Sequence, residues 1–376
     1  MSPQSGTPTM LPRLKPAPSL TAEVLTSLED VRPFEPDWDS LAVASGHPYS
    51  APAWIKAWWE FLRPERSRLC IVFVSDARRL VGVAPFCVVG GIYFPAGRGA
   101  AMAEPLAAGG MRQQVGASVA TALAAEAPPP RQVELGFRRS AGDWAAAIGD
   151  GWDGRAAWRR REAEHVVPSI DLGEGFEEWM KAKSSSFRRE ARRKRKKLDG
   201  VGAEFRYSDA TSLERDVTEF MRLHRQRLSG QGGTALTDIG IEQMLVSAGR
   251  ELLESGRFRL LCLEVEGSFV AAQLLLGAGP QLSAWNSGFD EEYAGLSPSM
   301  QCLIRALEDA SERGERTMSL GPGDQEYKAR LADSEDVLES HLIVPRGARY
   351  PLVRLGIGAQ GTIRDLRAAA RRRLDS

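Results

Sequence analysis

Residues 258–288 read FRLLCLEVEGSFVAAQLLLGAGPQLSAWNSG. Two turn signals divide this apolar stretch. Glu266-Gly267-Ser268 and Gly277–Pro280 are tight-turn chemistry, so the spacing predicts three antiparallel strands at 258–266, 268–277 and 281–287. Downstream, Ser297-Pro298-Ser299 opens a helix that runs to Gly314. Ser297 or Ser299 can cap it, and Pro298 suits its first turn. Residues 315–320 form a strand that Gly321-Pro322-Gly323 ends, and Glu326–Leu331 is a short charged helix. Upstream, Glu214–Leu228 and Ile241–Ser255 carry amphipathic helical periodicity, with Gly256 as the stop. Residues 184–198 form a basic helix.

The same order occurs earlier in the chain. Residues 51–62 place Trp54, Trp58, Phe61 and Leu62 at helical spacing. Strands follow at 68–75 and 80–88 around a turn at Asp76–Arg79. Residues 111–126 are helical, Pro128–Pro130 breaks that helix, and 131–137 is a strand. Arg68 and Phe258, which open the two meanders, lie 190 positions apart. This predicts a tandem duplication of one α+β unit, as does a length of 376 residues, beyond the roughly 250–300 at which a single core stops growing. The expected organisation is a lead-in at 1–20 rich in Pro, Ser and Thr, an N-terminal domain at 21–170, a C-terminal domain at 171–350 that carries the cofactor site, and a basic helix at 351–376.

Composition excludes several classes. A content of 43% hydrophobic and 26% charged residues is that of a globular chain. The apolar runs fall short of the ~18–20 residues that span a bilayer, and the N-terminus carries no apolar signal core. The cysteines Cys70, Cys87, Cys262 and Cys302 form no C-x-x-C pair, and most sit in apolar runs, as buried thiols of a reducing compartment do. A cytoplasmic protein is expected. The dispersed His47, His165, His224 and His341 argue against a sequence-local zinc site. The 49 basic and 49 acidic residues balance, but ten of the basic ones lie between Lys181 and Lys197. Overall charge gives no case for nucleic-acid binding.

Four stretches resemble a known superfamily: PYSAPAWIKAWWEFL (48–62); SSSFRREARRKRKKL (184–198) with GAEFRY (202–207); LEVEGSFVAAQLLL (263–276); and NSGFDEEYAGLSPSM (286–300) with SLGPGDQEYKARL (319–331). In order and spacing they resemble the GNAT (Gcn5-related N-acetyltransferase) superfamily, in its tandem-domain branch. Within it they look like the CelD-type cellulose-biosynthesis acetyltransferases, relatives of the FemAB peptidyltransferases. The resemblance implies two GNAT-like domains with mixed, mostly antiparallel sheets flanked by helices. It implies acetyl-coenzyme A or another acyl-coenzyme A as donor, a small or envelope- or polysaccharide-related amine acceptor, and no metal. The sequence departs from the superfamily at the pyrophosphate loop, usually Arg/Gln-x-x-Gly-x-Gly/Ala. The equivalent segment here is Tyr293-Ala-Gly-Leu-Ser-Pro-Ser299, and Gly97-Arg98-Gly99 matches half of that loop in the first unit.

Amide formation from a thioester needs a deprotonated amine, a stabilised oxyanion and a protonated leaving thiolate, and no side-chain nucleophile. The chain has no G-x-S-x-G elbow. The resemblance makes strand 281–287 the pantetheine platform, with Trp285, Asn286 and Ser287 at its splay; an ordinary central strand with Trp285 in the core is the alternative. The helix N-terminus at Ser297 and Ser299 suits a pyrophosphate, or is a plain capped helix. After the 315–320 strand, Tyr327 is the candidate acid for the thiolate. Lys328 is a candidate for the oxyanion or for an acceptor phosphate or carboxylate. Asp324 or Glu326 is the candidate base through water. A solvated charged helix is the alternative for this segment. Arg188, Arg192 and Arg195 on the basic helix suit an anionic acceptor or an anionic membrane surface, or form a solvated face. Nucleic acid ranks below these, because Phe187 is the run's one aromatic. His224 reads as structural. The sequence as a whole points to an N-acyltransferase that works by direct attack. The rivals are a non-catalytic scaffold of an exopolysaccharide assembly system and a FemAB-like transferase that uses aminoacyl-tRNA, in which the basic helix contacts RNA.

Overall fold

The structure, a computed structural model, describes residues 20–101, 103–152, 157–229 and 240–345, with the side chains of 227–229 left out. The lead-in before Leu20 and the basic helix at 351–376 lie outside the described residues. The first half runs β1 (Leu20–Leu25), α1 (Leu28–Val31), α2 (Glu35–Ser45), α3 (Pro52–Leu62), β2 (Arg68–Asp76), β3 (Arg79–Val89), β4 (Ile92–Pro95), β5 (Leu106–Ala107), α4 (Arg112–Ala124), β6 (Gln132–Arg138), α5 (Trp144–Asp150) and β7 (Trp158–Asp171). The second half runs α6 (Phe176–Ala182), α7 (Ser185–Gly200), β8 (Ala203–Tyr207), α8 (Leu213–Ser229), α9 (Gly240–Leu252), β9 (Phe258–Val265), β10 (Ser268–Ala278), β11 (Gln281–Phe289), α10 (Pro298–Glu312), β12 (Thr317–Ser319), α11 (Glu326–Leu331) and β13 (Ser334–Val344).

The order meander, helix, strand, long strand occurs in both halves. In each, the third meander strand pairs in parallel with the strand after the helix: β4 with β6 and β11 with β12. The other described pairings are antiparallel, as a meander's short turns require. The expected pair of sheets is fused into one, of order β1-β2-β3-β4-β6-β13-β7-β12-β11-β10-β9-β8. The cause is an exchange of long strands. β7 closes the first half in sequence yet pairs with β12 of the second, and β13 pairs with β6 of the first. The two exchanged strands then pair with each other from Trp158 to Ser169, across the seam.

The helices follow their local chemistry. Ser184 Oγ accepts from the Phe187 N–H at 3.2 Å and so caps α7. α10 departs from expectation: Ser297 sits at its N-cap in the left-handed region (φ 54, ψ 51) and makes no side-chain cap, while Pro298 supplies the preset φ of the first turn. α3 buries Trp54, Ile55 and Trp58, and these belong to a hydrophobic cluster that continues through Phe220 of α8 and Met244 and Leu245 of α9. One face of the sheet is thus covered by a core shared between the halves, and each half has a further core on the opposite face. The close fit of α8 on β11 needs Gly288, where a Cβ would fall 2.8 Å from the His224 nitrogen.

Candidate active site in the seam between the halves

β11 and β12 pair over only Gln281↔Thr317, Leu282↔Met318 and Ser283↔Ser319. Beyond Ser283 they part. β11 stays with β10 as far as Phe289, past a register shift that leaves Trp285 as the extra residue of a bulge. The chain after β12 turns instead toward β7, where the Leu320 N–H donates to the Pro168 carbonyl at 2.8 Å and the Gly323 N–H to that of Val166 at 3.0 Å.

A cavity of about 540 Å³ opens in this fork. Trp285, Asn286, Ser287, Tyr327 and Lys328 line it, together with His47, Tyr49, Gly99, Ala100, Glu104 and Arg138 of the first half. The structure therefore brings five of the expected residues to one place. Asp324 and Glu326 are exposed and lie outside the lining.

Trp285 links the halves. Its indole N–H donates to the Ala100 carbonyl at 3.1 Å, and its ring lies 6.0 Å from that of Trp54 and 6.3 Å from that of Phe220. The segment it holds is the turn at Gly97–Ala101. The indoles of Trp58 and Trp54 also hold it, donating to the Arg98 and Ala101 carbonyls at 3.0 and 3.4 Å. Gly97 is obligatory there: its φ is +86° and a Cβ would meet the Ala101 oxygen at 2.0 Å.

Lys328 is 6% exposed, and its ammonium donates to the carbonyls of Gly321 at 3.1 Å and Pro322 at 2.9 Å. Burial lowers its pKa, and Asp324 acts in the opposite direction. Two of its three donors thus hold the turn after β12.

The wall contributed by the first half was not legible as a site. Arg138 donates through its backbone N–H and its Nε to the two oxygens of Glu104, at 3.0 and 3.2 Å, and contacts the His47 ring. Burial, the largest influence, lowers the pKa of His47; Glu104 and Asp336 oppose it and Arg138 reinforces it. A sequence signal for Glu104 did exist, since it is the lone charge in AMAEPLAAGG (101–110).

Ser297 and Ser299 lie at the α10 N-terminus, outside the cavity lining. Ser299 Oγ is buried and has no hydrogen-bond partner among the described residues. The basic helix packs beside this terminus: Lys194 Nζ donates to the Gly295 carbonyl, and Gln301 Nε2 to that of Ala191 at 3.3 Å. Of the three arginines singled out, Arg188 is occupied with the carbonyls of Lys181 and Lys183, which end α6. Arg195 stacks 4.7 Å from the Phe205 ring, and Arg192 is exposed. His224, read from the sequence as structural, is 4% exposed, and its Nδ1 lies 3.1 Å from the Ser287 carbonyl. Among the described residues, no group of three or more His, Cys, Asp or Glu is placed to hold a metal, and no helix is long and apolar enough to cross a membrane.

The family model of the acetyltransferase (GNAT) domain matches residues 185–329. No curated protein matches the chain. Among solved structures, the chain is similar to FemX at 11% identity, covering 89% of this chain and 99% of that one with a TM-score of 0.63. It is also similar to the C-terminal domain of a putative lysylphosphatidylglycerol synthetase from Agrobacterium fabrum, at 12% identity, 86% and 95% coverage and a TM-score of 0.55. L-PGS from Bacillus licheniformis matches at 12% identity, 88% and 96% coverage and a TM-score of 0.53. At such identities these structures share a fold with the chain, across both halves. The expected α+β class, with a mostly antiparallel mixed sheet flanked by helices, is the one found.

Proposed function

We propose that the chain, whose residues 185–329 match the acetyltransferase (GNAT) domain model, is an acyltransferase of the tandem GNAT type that moves an acyl group from acyl-coenzyme A to the amine of an acceptor seated between the halves. The observation that carries this reading is the fork between β11 and β12. Among the described residues, the β11–β12 ladder ends at Ser283↔Ser319, which opens an edge at Ala284 and Trp285 beside the cavity. Such an edge takes up an extended chain bearing amides through main-chain hydrogen bonds. Trp285, Asn286 and Ser287 would lie along the pantetheine.

Ser297 and Ser299 would hold the pyrophosphate. The first turn of α10 has no acidic residue, its amides favour an anion, and the unpartnered Ser299 hydroxyl suits a phosphate oxygen. Acetyl-coenzyme A, the simplest such donor, supplies the thioester and a thiolate leaving group. Tyr327 protonates the departing sulfur. Lys328 has one donor left after Gly321 and Pro322, and turns it toward the carbonyl oxygen. Titration calorimetry tests the reading. Ser299→Asp puts a negative charge where the anion would bind and should weaken acetyl-coenzyme A about tenfold, or about 1.4 kcal/mol. Unchanged affinity places the pyrophosphate elsewhere.

The exposed face of α7, with Arg189, Arg192, Arg193, Lys196 and Lys197, fits an anionic partner: an acceptor of envelope or polysaccharide chemistry, or an anionic membrane surface. The reaction belongs to the cytoplasm in this reading, because all four cysteines are free and buried. Binding to anionic vesicles should fall steeply from 0.1 to 1 M salt as the Debye length shrinks from about 10 to about 3 Å. Changing Arg189, Arg192 and Arg193 to Gln should weaken it with little loss of stability. Vesicle binding that ignores both salt and these changes leaves α7 a solvated face. Binding of tRNA that is lost in the triple variant favours the aminoacyl-tRNA reading instead.

A further inference from the structure

We propose that Glu104, supplied by the first half, receives the acceptor's ammonium group and takes its proton. The inference rests on the acyl-transfer reading above and adds the group that makes the amine nucleophilic. An amine at neutral pH is mostly an ammonium, without the lone pair that attack requires, so a base inside the cleft must remove a proton. Among the described residues, Glu104 is the only carboxylate lining the cavity, and it is 8% exposed.

Glu104 is held at both ends. Its backbone N–H donates to Ser50 Oγ at 2.9 Å, and that hydroxyl donates back to the Glu104 carbonyl at 2.9 Å. Its two oxygens accept one bond each from Arg138, at 3.0 and 3.2 Å. An ionised carboxylate offers about four lone-pair sites, so capacity for an ammonium remains. Arg138 is itself fixed by Gln281 Oε1 at 3.4 Å and the Gly46 carbonyl at 3.3 Å. His47 Nδ1 lies 3.6 Å from Glu104 Oε1.

The charges facing the Glu104–His47 cluster are Arg138 from the end of β6 and Asp336 from β13. Tyr49, Tyr327 and Lys328 complete the titratable lining of the cavity. His47, held below its ordinary pKa mainly by burial, stays neutral, so Arg138 and Glu104 nearly cancel and an incoming ammonium meets a carboxylate with spare lone pairs. Arg138 and His47 are positioning residues. In the step, the amine nitrogen bonds to the thioester carbonyl carbon and the carbon–sulfur bond breaks. The nitrogen gives up two protons: one passes to Glu104 and on to solvent before attack, and the other leaves as the intermediate collapses and replaces the proton that Tyr327 gives to the thiolate. The balance is one amide, one thiol and one proton released for each ammonium consumed.

The test follows acetyl-coenzyme A-dependent thiol release with two amines. n-Butylamine is an ammonium at neutral pH and needs the base; hydroxylamine is uncharged there and does not. Glu104→Gln keeps the length and an acceptor for Arg138. Turnover with n-butylamine should fall about 10²–10⁴-fold and turnover with hydroxylamine by less than about tenfold. n-Butylammonium titrated into the donor-free protein should bind the variant about tenfold more weakly than wild type. Equal loss with both amines makes Glu104 a partner in architecture and overturns the proposal, as does unchanged n-butylamine turnover. If the glutamine variant fails to fold, Glu104→Asp keeps the base but displaces it. The same split between amines is then expected, and equal rates with both overturn the proposal. Wild-type protein that binds no acyl-coenzyme A, or releases no thiol with either amine, overturns the acyl-transfer reading itself.

Discussion

Tyr327→Phe is expected to lower turnover by about 10²–10⁴ while acetyl-coenzyme A affinity stays near wild type. The substitution removes one hydroxyl and little volume. The ring, which packs against the core of the second half beside Leu331 and Leu320, stays in place, so the cavity keeps its shape. What disappears, in the proposed mechanism, is the proton for the leaving sulfur. A thiolate is a fair leaving group by itself, which puts the loss toward the lower end of the range for a good acyl donor. Stopped-flow turnover with calorimetric donor affinity separates the outcomes: a fall in rate at constant affinity supports the acid, and wild-type turnover demotes Tyr327 to packing.

Asp216→Ala is expected to destabilise the fold by about 3 kcal/mol. Asp216 is fully buried and accepts from Arg206 Nη1 at 2.6 Å, Arg206 Nη2 at 2.8 Å and Ser208 Oγ at 2.7 Å. Its removal strands Arg206 between β8 and α8. Arg206 keeps 29% of its side chain in solvent and a bond to Glu264, which places the cost at the low end for a broken buried pair. Burial alone would push the Asp216 pKa up. The bonds from Arg206, Ser208, Ser212 and Arg215 outweigh burial and hold it well below the usual carboxylate range. With a depressed folded pKa, its contribution is complete above the unfolded value near ~3.9 and is lost as pH falls through the folded value. Urea midpoints should therefore fall between pH 5 and pH 2 in wild type, and the alanine variant should lose less over that interval. A parallel fall in both proteins would mean that other carboxylates carry the acid sensitivity.

The stretch 258–288 revealed its three strands because its turn signals are local. The offset repeat in the first half was legible for the same reason. The exchange of β7 and β13 was not, because pairing between strands far apart in sequence leaves no local mark, and WRRREAEHVVPSID (158–171) alternates too weakly to announce a partner. Trp285, Asn286, Ser287, Tyr327 and Lys328 were named from motif resemblance, and the fold carries them to one cavity. His47, Glu104 and Arg138 were missed because each stands alone in its own segment, and only the seam brings them together. The basic run was legible as charge, but not that Arg188 would be consumed in closing α6, or that the helix would lie against the start of α10.

Calorimetric titration of the purified protein with acetyl-coenzyme A and with longer acyl-coenzymes A tests the central claim most directly. Saturable one-to-one binding, weakened in Ser299→Asp and unaffected by Tyr327→Phe, is the predicted result. No heat with any acyl-coenzyme A, together with saturable binding of an aminoacyl-tRNA, would contradict it.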